Sequence, residues 1–325
     1  TRMKKVFWRN EMNVIDLHCD VLYKLSIMEE PVSFLNDPSL QANKERLLAG
    51  KVNVQFFAIF VAADLSPAEK FMSAIRQIEL FHSHILATNP DIIHITDWSQ
   101  LDQLGEQEIG AVLTVEGVDM IGESLEKLEL LLNAGVKLVG LTWNHANAVA
   151  HGADEPSNLG LTPFGHEVLK LLNNRNILVD VSHLNEQSFW DVLKEAKHVI
   201  ASHSNTRSLC DHPRNLTDDQ AKALVGKGGH IHLVYYPLFI KNEVKSVTIE
   251  DFMHHFVHLA RIVGVEHLGL GSDFDGISVF IEDLQDASKT QRVINALKDH
   301  FEEDKIRGIA ANNFKNYIQQ VIATS

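Results

Sequence analysis

The segment DLHCD places His18 and Asp20 two residues apart at the end of the apolar run Val14 to Leu17. Later runs end in the same manner: AVLTVEG on Glu116, ILVDVSH on His183, HVIASHS on His203 and HLGLGSD on Asp273. Neutral imidazole and carboxylate are the ligand types of Zn2+ and related divalent ions. Side chains two apart on a strand face the same way, so His18 and Asp20 can grip one ion together. A single catalytic ion with an open position has no use for all of His18, Asp20, Glu116, His183 and His203. Two ions sharing a bridging carboxylate use all five, three per metal, and Glu116, the only glutamate in the set, is the natural bridge. Metal pairs about 3.5–4 Å apart are an established hydrolytic arrangement. Taken singly, each of these residues reads better as a satisfied core or helix-capping group. It is their recurrence at corresponding ends that points to metal.

The elements that must position them are short apolar runs: VIDLH, VNVQFFAIFV, AVLTVEG, VKLVGLTW, ILVDVSH, HVIASHS, GHIHLVYY and HLGLGSD. They are mostly continuous rather than alternating, as parallel strands buried on both faces are. Helical patterns separate most of them. SPAEKFMSAIRQIELFHSHILA opens on a capping signature, and ESLEKLELLLNAG ends on Gly135, a plausible terminating glycine. Four further helices are predicted in TPFGHEVLKLLNNRN, NEQSFWDVLKEA, TDDQAKALVGKGG and TIEDFMHHFVHLARIVG. Eight strands alternating with helices predict an α/β chain, a single (β/α)8 TIM barrel spanning residues 1–325 with 1–12 as an N-terminal extension. An open doubly wound sheet is the alternative, but it prefers a glycine-rich phosphate loop after its first strand and LHCDVLYKL offers none. In a barrel, catalytic groups sit at the C-terminal strand ends, so all six residues meet on one rim.

Acidic residues outnumber basic ones by 43 to 29, a net charge of −14, which disfavours nucleic acid and anionic membranes as partners. Two cysteines, Cys19 and Cys210, make no disulfide framework, and the cytosol is the simplest compartment. No run is long enough to span a bilayer, and the first residues lack the apolar stretch of a signal peptide.

In these residues the chain resembles the membrane (renal) dipeptidase family, peptidase family M19, among the amidohydrolase-like metal-dependent hydrolases. DLHCD, TVEG, LTWN, DVSH, SHSN, CDHPRN, GSDFDG and AANNF carry the resemblance in order, from residue 16 to about 314. It implies two zinc ions per chain, one on His18, Asp20 and Glu116, the other on Glu116, His183 and His203. It casts Asp273 as the acid/base group and Arg214 as the clamp on the substrate's α-carboxylate. Dipeptides are then the substrates, with a D-residue accepted at the C-terminal position, and a homodimer is a family expectation. Two departures stand out. Cys19 replaces an asparagine common in the family, and a thiol there is expected to be packed and inert. LTWNHAN differs from members with a substrate-binding histidine directly after LT, which leaves Asn144 and His145 as alternatives for contacting the tetrahedral intermediate. IQQVIATS does not match the anchoring tail of animal members, so the resemblance implies a cytoplasmic, bacterial-type enzyme without a membrane anchor.

Without the resemblance, spacing and residue type yield only a binuclear metallohydrolase. A non-peptide amide, lactone or lactam is the alternative substrate. A non-catalytic, metal-stabilised binding protein is a further alternative, but it would be expected to lose Asp273 or Glu116. His230 and His232 lie at a strand's beginning and are expected to be core, while His254, His255 and His258 are expected on a solvated helix face. Asp275 reads either as a partner of Asp273 or as a structural residue of the DFDG turn.

Overall fold

The computed structural model describes residues 11–242 and 246–324, so the extension expected at 1–12 lies almost wholly outside the described residues. Nine strands form one sheet: β1 (Val14–Asp16), β2 (Val52–Phe60), β3 (Ile92–His94), β4 (Ile109–Glu116), β5 (Val136–Gly140), β6 (Leu178–Asp180), β7 (Val199–Ala201), β8 (His230–Leu233) and β9 (Leu268–Leu270). All pair in parallel. β1 lies between β2 and β9, with Asp16 opposite Leu270, and β2 pairs with β4 from Val54 opposite Gly110 to Phe60 opposite Glu116. That last pairing closes eight strands into the expected barrel. The ninth, β3, was not foreseen and pairs only with the first three residues of β4.

Alternation along the strands divides the core into two layers. Val112, Leu138, Leu178 and Ile200 belong to one apolar cluster; their neighbours Leu113, Val139, Val179 and Val199 belong to another, packed under the helices. The first cluster fills the lumen and includes Phe314, Tyr317, Ile318 and Val321 of the helix Asn313–Ala323. Tyr317 donates its hydroxyl proton to the carbonyl of Val199, and Asn313 donates to that of Leu268. Both carbonyls belong to the first residues of their strands, so this helix closes the N-terminal end of the barrel and leaves the C-terminal end free for chemistry.

Local sequence sets the helix starts. Ser66 and Glu69 form a reciprocal capping box at the helix Pro67–Leu80, as SPAE predicts, and Thr217 and Thr248 do the same with Gln220 and Asp251. Gly135 takes φ 104° after the helix Leu125–Asn133, a conformation costly for any residue with a Cβ.

Candidate metal centre

Each residue expected on the rim is there. Glu116 is the last residue of β4. His203 stands two residues beyond β7, while His183 and Asp273 stand three beyond β6 and β9 with left-handed backbones, φ 69° and 66°. Non-glycine residues held in that region cost of order 1–3 kcal/mol each and concentrate at functional sites. His18 and Asp20 also meet, but not because they share a strand face. β1 stops at Asp16, and the chain turns so that Cys19 bridges to Phe274 and the Asp20 amide donates to the Phe274 carbonyl. Asp20 occupies the cap position of the helix Val21–Ser26 yet makes no capping bond. Its carboxylate turns to His18 instead.

The geometry is tight. Glu116 Oε1 lies 2.7 Å from His183 Nε2 and 3.6 Å from His203 Nε2, and its Oε2 lies 3.6 Å from His18 Nε2. His18 Nε2 is also 3.3 Å from Asp20 Oδ2 and 3.7 Å from Asp273 Oδ1. Two groups of ligand-type atoms result, His18–Glu116–His203 and His18–Asp20–Asp273, each within 4.8 Å of one another. His18 is common to both, and its ring stacks on that of His203 at 3.9 Å.

These residues fit divalent cations. His18 Nε2 and Asp20 Oδ1 are buried with no hydrogen-bond partner, an arrangement that costs free energy unless something else takes their lone pairs. Burial and the charge of Glu116 push the Asp20 carboxyl up to about 6, and burial pushes Asp273 well above the usual carboxylate range. Burial acts on Glu116 too, but His18, His183 and His203 outweigh it and hold its carboxyl well below that range. Burial presses His183 down to about 3, with the Arg214 charge adding to it, and leaves His203 well below ordinary imidazole. His18 goes the other way: Glu116 and Asp20 together outweigh its burial and raise it. Three carboxyl groups packed around three imidazoles form the donor set that zinc-type ions take.

Supporting contacts hold this rim in shape. The Asp275 side chain is fully buried and accepts from the amides of Gln41 and Ala42 and from Lys24 Nζ, which identifies it as the structural residue of the DFDG turn. A Cβ on Gly276 would collide with Asp20 Oδ2 and stand 2.6 Å from Asp273 Oδ1, so only glycine lets the backbone pass behind both carboxylates. Asp16 and Asp180, at the ends of β1 and β6, do similar work across the barrel. Asp16 accepts from the amides of His18 and Ser272 and from the Ser272 hydroxyl, and Asp180 accepts from the amides of Ser182 and Ser202 and from the Ser202 hydroxyl. The sequence reading passed over both aspartates. The repeated signal was there, an aspartate two or three residues before a histidine in DLH and DVSH, matched by a serine directly before His203 and Asp273.

Arg214 is buried, donates from Nη2 to the carbonyl of His203 at 3.2 Å, and leaves Nε without a partner. Among the described residues no carboxylate comes within 4 Å of its guanidinium, so no salt bridge accounts for its burial. Burial lowers it to about 10. Asn144 Oδ1 accepts from His183 Nδ1 at 2.7 Å, and Asn144 lines the cavity above the centre; His145 is exposed, its ring 5.4 Å from that of Trp143. That cavity holds about 290 Å³, with Asp20, Glu116, His183 and Asp273 at its floor and Tyr23, Phe60, Trp143, Tyr236 and Phe239 as aromatic walls. Phe239 lies 5.3 Å from the Arg214 guanidinium.

The discounted residues divide. His230 and His232 are buried core, as expected, with the His232 ring lying where a Cβ on Gly269 would be. The solvated face expected for the 254–258 cluster holds only for His254. His255 is fully buried, its Nε2 against the Ile240 carbonyl, and His258 pairs with Asp218. The helical pattern did not show that this face packs on the segment leading from β8. Cys19 and Cys210 are both buried and unbridged.

The family model for membrane dipeptidase, peptidase family M19, matches residues 2–325. An uncharacterized dipeptidase of Schizosaccharomyces pombe is 29% identical over 301 residues, 85% of this chain and 72% of that protein. A Klebsiella pneumoniae protein from the pqqA 5′ region is 32% identical over 203 residues, 59% of this chain and 74% of that protein. In structure, a metallo peptidase from Rhodobacter sphaeroides, liganded with a phosphinate mimic of the dipeptide L-Ala-D-Ala, superposes with a TM-score of 0.87 at 22% identity. The match covers 96% of this chain and all of that one, and at that identity it speaks to the fold. Among the described residues, no helix is long and apolar enough to cross a membrane.

Proposed function

The chain belongs to the membrane dipeptidase family, and on that premise we propose that it hydrolyses dipeptides at the barrel rim with two zinc ions bridged by Glu116. The observation that carries this reading is the splayed Glu116 carboxylate, one oxygen facing His183 and His203 and the other facing His18. His18 and Asp20 complete one set of ligands, His183 and His203 the other. Bound there, the metals would supply the acidity that lets a water attack at neutral pH and would polarise the scissile carbonyl.

The remaining work falls to side chains. Asp273 stands on the rim with Oδ1 3.7 Å from His18 Nε2, placed to take a proton from the attacking water and return it to the departing amine. Arg214 offers a planar fork with an unpaired Nε, suited to two-point recognition of the substrate's C-terminal carboxylate. Asn144 holds the His183 ring in place from the cavity side, which supports it over His145 as the neighbour of the reacting group. The aromatic walls exclude water from the bond being broken. Acceptance of a D-residue at the C-terminal position rests on the L-Ala-D-Ala mimic held by the Rhodobacter enzyme.

Metal content per chain, with hydrolysis of L-Ala-L-Ala and L-Ala-D-Ala before and after chelation, tests this directly. Two zinc ions and chelator-sensitive cleavage are expected. Metal present with both peptides untouched, while an N-acyl amide or a lactone turns over, would replace the peptide by a non-peptide substrate. Arg214→Ala should raise KM most for substrates with a free C-terminal carboxylate. An equal effect on amidated dipeptides would remove it from that role.

A further inference from the structure

We propose that Asp180 and Ser202 form a relay that fixes the His203 imidazole with its proton on Nδ1, so that Nε2 presents a lone pair to the metal centre. This rests on the reading of His203 as a metal ligand and adds two positioning residues to it.

The proton count decides the direction. Asp180 Oδ1 accepts two amide protons, from Ser182 at 3.0 Å and Ser202 at 2.9 Å. Its Oδ2 is in short contact with the Ser202 hydroxyl, which also lies 2.6 Å from His203 Nδ1. A hydroxyl has one proton. Were it given to the ring, Asp180 Oδ2 would face only the lone pairs of Ser202 at short range, deep in the protein where such repulsion is poorly screened. Given to Asp180, it leaves those lone pairs for a proton on His203 Nδ1. The ring then has its unprotonated nitrogen, Nε2, turned to Glu116 Oε1 and to His183 Nε2, 2.8 Å away, a meeting of lone pairs that a bound cation would relieve. His183 is set in the same sense by a different group, the Asn144 carbonyl on its own Nδ1. A carboxylate acting through an intermediary on a ligating histidine orients the ring and raises the basicity of its free nitrogen.

The equivalent pair across the barrel shows that the relay is more than strand-end packing. Ser272 gives its hydroxyl proton to Asp16 just as Ser202 does to Asp180, but its remaining contacts are the Phe274 amide and the His18 carbonyl. Only the Asp180 branch ends on an imidazole nitrogen.

The test is zinc affinity of the full chain, by chelator competition from the loaded enzyme, alongside melting temperature. Ser202→Ala and Asp180→Asn should each weaken zinc binding about 10–100-fold, the range typical of such outer contacts. Because the two act in series, the double variant should be no weaker than the more affected single one. Ser202→Thr, which keeps a hydroxyl, should recover most of the loss. Ser204→Ala supplies the packing control: its hydroxyl meets Ser182 Oγ at 3.2 Å and makes no ring contact, so zinc affinity should hold. Wild-type affinity in Ser202→Ala overturns the relay, as does an equal loss in Ser204→Ala. A wild-type chain that takes up no zinc instead overturns the assignment of His203 as a ligand. If Ser202→Ala does not fold, Asp180→Asn against Ser204→Ala gives the same decision.

Discussion

The two ends of this barrel use the same side chain for opposite purposes. At the C-terminal end, His18, His183 and His203 crowd within a few ångströms of one another and of three carboxylates. At the N-terminal end, His230 starts β8 and packs against Tyr317, and His232 follows with its ring on Gly269 and Phe314. Burial lowers the imidazoles of His232 and His183 alike, each to about 3. Burial and a low proton affinity therefore do not distinguish a ligand from a core residue. The neighbours do: carboxylates at one end, and at the other aromatic rings, aliphatic side chains and, for His232, a backbone carbonyl.

Removing the carboxylate at the centre of the functional end should have the largest effect. Glu116→Gln takes the charge from between the two histidine sets and should lower zinc occupancy, with kcat/KM falling by at least about 10³-fold, since metal stabilisation of a transition state is worth several kcal/mol. Occupancy and rate both at wild-type levels would erase the distinction between the ends. Asp273→Asn should lower kcat by about 10²–10⁴-fold while metal content, read by elemental analysis, stays intact. Loss of metal in that variant would make Asp273 a ligand rather than a proton carrier. Gly276→Ala forces a Cβ against Asp20 and Asp273, and a displacement of about 1 Å there should cost roughly 10²-fold in kcat/KM. An unaffected rate would show that the two carboxylates have room to move.

The smallest effect concerns stability, away from the rim. His255 is held neutral in the fold, its imidazole lowered to about 4 chiefly by burial, whereas in the unfolded chain it titrates near 6.5. Below that pH the unfolded state binds a proton that the native state refuses, so stability present above about pH 6.5 is lost as the pH falls towards 4. From pH 6.5 to 5 the loss from this one residue is at most about 2 kcal/mol. His255→Gln should therefore flatten the acid limb of urea denaturation and leave kcat/KM at neutral pH unchanged. An acid limb as steep as wild type would mean that His255 accepts a proton without unfolding.

The histidines also show what could be read from the sequence alone. Strands buried on both faces leave continuous apolar runs, and eight of the nine were visible for that reason. Ile92–His94 was not: it stands outside the eight-strand barrel, pairing at its margin with the start of β4. The ligand-type residues were legible because strand ends are fixed by those runs. How they come together was less legible. The turn that brings Asp20 to His18 and the left-handed backbone at His183 and Asp273 arise from contacts between the chain's two halves, which no local pattern encodes. Asn144 was visible as a residue of interest, but its bond to His183 depends on a loop arriving from the neighbouring strand.

The pairing of β1 with β9 sets an order of events during synthesis. His18 leaves the ribosome some 250 residues before its neighbour Asp273, with the helix that closes the barrel's base later still. A nascent chain cannot hold the complete rim until β9 and Asp273 have emerged. The five residues assigned to metal have all emerged by His203, but the rim is left unclosed, and a chain truncated before β9 lacks both the closing strand and Asp273.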